Sequence, residues 1–146
     1  MNPNSIYLVQ SDTTVGFCSQ DKDRLAHIKQ RDPKKPILIT VNSHESLKNL
    51  TRVPKKYKKL VRNSKKITFI YPNKKAIRVV NRGEHKNFLD KFGWMYSTSA
   101  NKSGNSFDKV FAYDKVDIIV KSPSGFKEDN PSTLIKLTKS KRRRIR

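Results

Sequence analysis

Ser97-Thr98-Ser99-Ala100-Asn101-Lys102-Ser103-Gly104 is the stretch around which the chain is organised. It follows Phe92-Gly93-Trp94-Met95-Tyr96, an apolar run that reads as the end of a buried strand. Gly104 and Asn105 then turn the chain. Small hydroxyl and amide side chains are thereby set at a strand's carboxyl end, where open α/β sheets bind ligands. Taken alone, the stretch reads as a turn, because Ser and Asn hydrogen-bond their own backbone. A second stretch, Ile28-Lys29-Gln30-Arg31-Asp32-Pro33-Lys34-Lys35-Pro36, supplies complementary chemistry. Its Lys29 and Arg31, two apart and followed by prolines, suit a polyphosphate.

Outward from these stretches, strands and helices alternate loosely. Ile6–Gln10 reads as a strand, and residues 11–17 as a turn in which Gly16 is free to take a positive φ. Ser19 is the expected cap of a helix running to about Gln30, which Pro33 ends. Pro36–Val41 reads as a buried strand, Ser43 as the cap of a short helix through Leu50, and Pro54 as the start of another. Ile67–Tyr71 and Ala76–Val80 read as paired strands joined by the turn 72–75. Glu84–Phe92 reads as a helix stopped by Gly93. A turn or two of helix is expected over Asp108–Tyr113, and strands over Val116–Val120 and Pro131–Leu137. With no repeat or linker, this argues a single domain over 1–146 of the α/β class with a mixed sheet.

Charge is the loudest bulk feature. Thirty-three Lys and Arg against twelve Asp and Glu give a net charge of +21, a field that concentrates polyanions. Cys18 is the only cysteine, so no disulfide framework exists and a reducing, cytoplasmic setting is expected. The chain opens with no basic, apolar leader and has no apolar run of membrane length, so no membrane partner is expected. His27, His44 and His85 are scattered and have no metal-ligand spacing with Cys18. No metal site, Ser-His-Asp arrangement or Walker-type loop is read.

Several motifs, in order, resemble the YrdC-like family, the threonylcarbamoyl-AMP synthases. Gln10-Ser11-Asp12-Thr13-Thr14-Val15-Gly16-Phe17 is similar to the family's Pro-Thr-Asp/Glu-Thr-x-Tyr-Gly-Leu. Lys29-Gln30-Arg31-Asp32, then Pro36-Ile37, resembles Lys-x-Arg-Pro…Pro-Leu; Ile77-Arg78-Val79-Val80 resembles Val-Arg-x-Pro. Ser99-Ala100-Asn101-Lys102-Ser103-Gly104 matches Ser-Ala-Asn-x-Ser-Gly. Ser132-Thr133-Leu134-Ile135-Lys136 resembles Ser-Thr-Ile-Val-Asp, and Ile145-Arg146 the start of Leu-Arg-x-Gly. The chain departs from the family at Val15, Asp32 and Val80, and Lys65-Lys66-Ile67-Thr68 stands where Pro-Gly-Pro-Leu-Thr is usual.

The resemblance implies a twisted mixed sheet, flanked by helices, around a concave basic cavity. It implies a nucleotidyltransferase that converts L-threonine, bicarbonate and ATP to threonylcarbamoyl-AMP and pyrophosphate. Magnesium accompanies the ATP. Other tRNA-modification proteins then transfer the product to adenosine 37 of tRNAs. By this resemblance Lys29, Arg31, Ser99 and Asn101 carry the reaction and bind ATP, and Arg146 reaches the nucleotide. Ser11, Arg78, Ser97 and Ser132 form the threonine pocket, with Arg78 gripping the carboxylate. Catalysis is then mainly positioning and charge neutralisation. Lys29 and Arg31 are expected to point into the cavity, so losing either should weaken ATP binding with little effect on stability.

The lysine-rich region from Lys55 to Lys75 and the tail from Lys141 to Arg146 read as polyanion-facing surface. They raise an alternative: a YrdC-like module that binds double-stranded RNA or tRNA with little or no catalysis.

Overall fold

The computed structural model describes residues 1–146. Nine strands form one sheet: β1 (Tyr7–Gln10), β2 (Val15–Ser19), β3 (Leu38–Val41), β4 (Ile67–Ile70), β5 (Ala76–Val79), β6 (Trp94–Ser99), β7 (Ile118–Ile119), β8 (Thr133–Leu137) and β9 (Arg142–Arg144). Their order is β7-β1-β2-β6-β3-β5-β4-β8-β9. The pairs β1–β7, β3–β5 and β4–β8 are parallel and the others antiparallel. Five helices join them: α1 (Lys22–Ile28), α2 (His44–Leu50), α3 (Lys58–Asn63, entered through a 3-10 turn at Lys55–Tyr57), α4 (Gly83–Leu89) and α5 (Lys109–Lys115). The expected mixed, twisted α/β sheet is present.

Period-two alternation splits the strand residues between two faces. On one face Leu8, Val15 and Phe17 pack with Leu25 and Ala26 of α1 and Ala112 of α5. Further along that face Ile39, Val41, Phe69, Ile77 and Leu137 pack with Leu47 of α2 and Val61 of α3. Each buried Leu, Ile, Val or Phe among them contributes roughly 1.5–3 kcal/mol, and a one-residue slip would turn the strand residues to the other side. On the opposite face α4 covers only one end, where Phe88 and Leu89 meet Tyr7, Val9, Cys18 and Met95. The remainder of that face is uncovered by any helix and carries Gly16, Ser97, Ser99, Thr68 and Arg78.

Several local expectations are corrected. Residues 15–19 are a fully buried strand, so the turn expected over residues 11–17 ends before Val15. Gly16 does not take a positive φ; it is needed because a Cβ would stand 3.0 Å from the Thr98 carbonyl oxygen. Asp21, not Ser19, caps α1 by accepting from the Arg24 amide, and the helix ends at Ile28 with Lys29 as its C-cap. Ser19 lies within β2 instead. The expected strand at 116–120 shortens to Ile118–Ile119. The basic tail forms β9, paired with β8 through Ile135↔Arg144 and Leu137↔Arg142. α4 spans Gly83–Leu89 with Asp90 as its C-cap, shorter than the expected run to Phe92; Gly93, with φ +84°, lies beyond its end and donates back to the Leu89 carbonyl.

Candidate functional site

The uncovered face forms a cavity of about 340 Å3. Strand alternation puts Ser97 and Ser99 of β6 on this side, opposite Cys18 and Gly16 of β2. β5 adds Arg78 and β4 adds Thr68. Ser11, Thr13 and Thr14 come from the β1–β2 loop, Ser132 from the approach to β8, and Arg31 and Arg146 from the two open sides. Three arginines and many hydroxyls thus line the wall, and no carboxylate or lysine does.

Arg78 is 2% exposed, and its charge is held from several sides. Its Nε and one terminal nitrogen donate to the two oxygens of Asp12 at 3.1 and 2.8 Å. The other terminal nitrogen faces the Thr68 hydroxyl at 3.4 Å. Thr68 in turn shares a 2.7 Å hydrogen bond with the Ser132 hydroxyl. Asp12 also meets His85 Nδ1 at 3.2 Å. Burial alone would push the Asp12 carboxyl up; the hydrogen bond from His85 and the Arg78 guanidinium outweigh it and hold it at about 2. His85 is fully enclosed, and burial keeps its value below the ordinary one against the pull of Asp12. Its Nε2 has no partner in either tautomer.

Arg78 is therefore an oriented cation rather than an open one. Its Nε edge is occupied by Asp12, and its other terminal nitrogen is turned to Thr68.

Lys29 lies behind the wall, 7% exposed. Its ammonium donates to the Ser99 carbonyl at 2.9 Å, to the Asn101 side-chain oxygen at 3.2 Å and to the Asn101 carbonyl. Burial, with Arg31's charge second, pulls its value down to about 8, while the three acceptor oxygens favour the charged form. Lys29 thus ties the end of α1 to the end of β6 and fixes the loop that carries Ser99. It does not point into the cavity as expected, because its ammonium is turned to those three oxygens. Asn101 anchors the same loop through a 2.5 Å bond to the Asn105 carbonyl. It opens onto an adjoining cavity of about 200 Å3 that shares Thr14, Ser99 and Pro131 with the first.

Arg31 keeps most of its guanidinium free, with one 3.2 Å bond to the Pro36 carbonyl. Arg146 is tied to the wall through the Ser132 carbonyl at 3.1 and 3.0 Å, and its backbone pairs with Leu134.

The structure brings Ser11, Arg31, Arg78, Ser97, Ser99, Ser132 and Arg146 into one cavity wall, with Lys29 and Asn101 immediately behind. The sequence reading missed Asp12 as Arg78's partner and assigned it to a turn. It also missed Thr68 and His85. Asp12 had a signal, since it sits inside a matched motif between two hydroxyl residues. His85 had none beyond a helical position. No three His, Cys, Asp or Glu side chains are grouped to hold a metal. No helix is long and apolar enough to cross a membrane.

Comparison with known proteins sets this geometry in context. The Sua5/YciO/YrdC family model, described as telomere recombination, matches residues 6–146. The crystal structure of P. abyssi Sua5 complexed with L-threonine superposes with a TM-score of 0.81 at 20% identity, covering 97% of this chain and 50% of that one. E. coli YciO superposes at 0.78 and 18% identity, covering 98% and 82%. A Mycoplasma pneumoniae protein described as an uncharacterized MG259 homolog is 29% identical over 136 residues, 88% of this chain and 29% of its own length. The chain therefore spans half of the Sua5 chain and under a third of the M. pneumoniae relative.

Proposed function

The chain belongs to the Sua5/YciO/YrdC family, and from that premise we propose that it is an L-threonylcarbamoyladenylate synthase serving tRNA modification. The observation that carries this reading is the cavity wall itself: three arginines and many hydroxyls line it, and only Arg78 is paired with a carboxylate, Asp12. Such a wall suits a ligand with several anionic oxygens and small polar groups.

The product's connectivity dictates the bonds. Bicarbonate carbon joins the threonine nitrogen with loss of water, and a resulting carboxylate oxygen joins the α-phosphorus of ATP as pyrophosphate leaves. Arg78, oriented by Asp12, faces the threonine carboxylate, with Ser11, Ser97 and Ser132 around the amino acid. Arg31 faces the phosphates and the charge gathering on the departing pyrophosphate. Arg146 closes the nucleotide side. Ser99 and Asn101 bond the nucleotide near the α-phosphate and ribose, and Lys29 acts through them by holding their loop. The contribution is positioning and fixed charge. Magnesium would accompany the ATP and offset the charge of its phosphates; the larger cavity offers no carboxylate for it, and Glu128 and Asp129 border the adjoining one. The product passes to other tRNA-modification proteins, with tRNA as final acceptor, in a cytoplasmic setting.

Mass spectrometry after incubation with ATP, bicarbonate and threonine tests the reading. The expected result is a threonylcarbamoyl-AMP ion that disappears when threonine is omitted and in Arg31→Ala. A parent protein that binds ATP yet yields no such ion would favour the alternative, binding of RNA without turnover. The saturated donors of Lys29 and the occupied edge of Arg78 are what speak for that alternative.

A further inference from the structure

The charge of this protein is not spread over it. Residues 46–83 and 131–146 hold 20 of the 33 Lys and Arg and none of the 12 Asp and Glu. The remaining residues hold 13 cations and 12 carboxylates, which is near balance. The fold brings the two cationic segments together at one end of the sheet. β4 and β8 pair in parallel from Ile67↔Thr133 to Ile70↔Lys136, and β9 extends the same edge. On the helical side the Lys56 ammonium donates to the Ser140 carbonyl at 2.9 Å, tying the 3-10 turn to the β8–β9 connection.

This end is grooved. A channel of about 990 Å3 is lined by Arg52, Lys55, Lys56 and Lys139 among Thr51 and Asn73. Lys56 also borders a second hollow with Lys141 and Arg142. Arg52 also borders a third with Lys58 and Arg62. None of these cations is in an ion pair, and none lines the cavity that holds Arg31 and Arg78. Uncompensated like charge at one end costs self-repulsion that an even distribution would lower.

We infer that this end of the sheet is a docking face for the phosphate backbone of a folded RNA, separate from the cavity and open while the cavity is filled. A channel walled by cations and small polar side chains suits a duplex backbone. Bases have little to stack on, because Tyr57 is 6% exposed. A membrane surface fits less well, since Met1, Val110, Tyr113, Ile118 and Ile119, five of the six exposed large apolar residues, lie outside the two cationic segments. The inference takes RNA as a partner from the proposed function but does not need turnover in the cavity.

The test measures fluorescence anisotropy of an unmodified tRNA transcript and of an RNA duplex of arbitrary sequence across a salt series. It compares the parent with Lys55→Gln/Lys56→Gln/Lys139→Gln/Lys141→Gln and with the four-lysine-to-arginine counterpart. Losing four phosphate contacts should shallow the log–log salt slope by about 3.6, taking roughly 0.9 per contact as on duplex DNA. Affinity at moderate salt should fall more than about tenfold. The arginine variant should bind like the parent, and saturating ATP should leave the Kd of RNA unchanged. A glutamine variant with matching melting temperature and parental slope overturns the inference. Competition by ATP overturns it by placing RNA in the cavity. Binding to phosphatidylserine vesicles without binding to RNA overturns it in favour of a membrane. Synthase activity measured on the glutamine variant separates the two readings. RNA binding lost with product formation intact fails neither, whereas RNA binding as inferred with no product from the parent fails only the synthase.

Discussion

Two regions of this molecule use positive charge in opposite ways. In the cavity each buried cation is held by fixed oxygens: Arg78 by Asp12 and Thr68, and Lys29 by Ser99 and Asn101. At the β4–β8–β9 end the cations that line the grooves are in no ion pair, and Lys56 meets a single carbonyl. The first arrangement spends stability on pre-orientation. It is little affected by salt, because buried pairs are poorly screened. The second leaves charge available to a partner and makes every consequence depend on ionic strength. The contrast teaches that the net charge of +21 says little by itself; whether a cation is already partnered decides what it does.

Removing Arg78 has the largest expected effect. Arg78→Met leaves the Asp12 carboxylate enclosed beside His85 without its counter-charge. Removing one partner of a buried pair costs about 3–5 kcal/mol, and urea unfolding reads it directly. Asp12→Asn/Arg78→Met should recover part of the loss. A single variant as stable as the parent would show that the pair contributes orientation alone.

The same pair predicts a loss in acid. The Asp12 carboxyl stands at about 2 in the folded protein, below its unfolded value near 3.9. Its contribution is therefore complete above about pH 4 and is lost as pH falls through about 2. The shift corresponds to roughly 2–3 kcal/mol. Unfolding free energies at pH 5 and pH 2.5 should differ by most of this amount. Asp12→Asn should flatten the difference.

How much of this was legible beforehand differs between the regions. Strands β3, β4 and β5 announce themselves through Ile, Leu, Val and Phe runs, and those runs become the core under α2 and α3. β2 was hidden because its cavity side alternates Gly16 with Cys18, so Val15 and Phe17 alone carry the pattern. β9 was hidden because Arg142–Arg144 has no apolar residue and is a strand only by pairing with β8. In the site, residues inside motifs were found, while the Asp12–Arg78 contact spans 66 positions and no local period encodes it. The basic face was the reverse. Its composition was plain, but only the β4–β8 pairing shows that two distant segments make one surface.

Lys29 and Arg31 sharpen the comparison within a single stretch. Lys29→Met leaves the carbonyls of Ser99 and Asn101 without their donor, a cost of about 1–3 kcal/mol in stability, and it loosens the loop that carries Ser99. Arg31→Ala removes a largely free guanidinium. It should leave the melting temperature unchanged and weaken ATP more than about tenfold, if the lost charge-assisted hydrogen bond is worth roughly 1.5–3 kcal/mol. Calorimetric titration and thermal melting on both variants check this. Equal melting temperatures for both would place Lys29 with the free cations.

The smallest effect is expected on the basic face, and its sign is the informative part. α3 opens with Lys58 and Lys59 and has no acidic residue in its first turn, which is unfavourable for the helix dipole. Lys58 also lies one turn before Arg62, a like-charge i,i+4 pair that costs a few tenths of a kcal/mol. Lys58→Glu reverses both terms at once. It puts an acid in the first turn and makes a Glu-to-Arg pair in the favourable direction. The variant should be more stable than the parent by about 0.5–1 kcal/mol at low salt, and the gain should shrink as salt rises. Its RNA affinity should fall over the same range. A face whose single substitution improves the fold while weakening a polyanion is one whose lysines serve binding at the expense of stability. If Lys58→Glu instead destabilised the protein at every salt concentration, Lys58 would have a structural partner, and the line drawn between held and free cations would have to move.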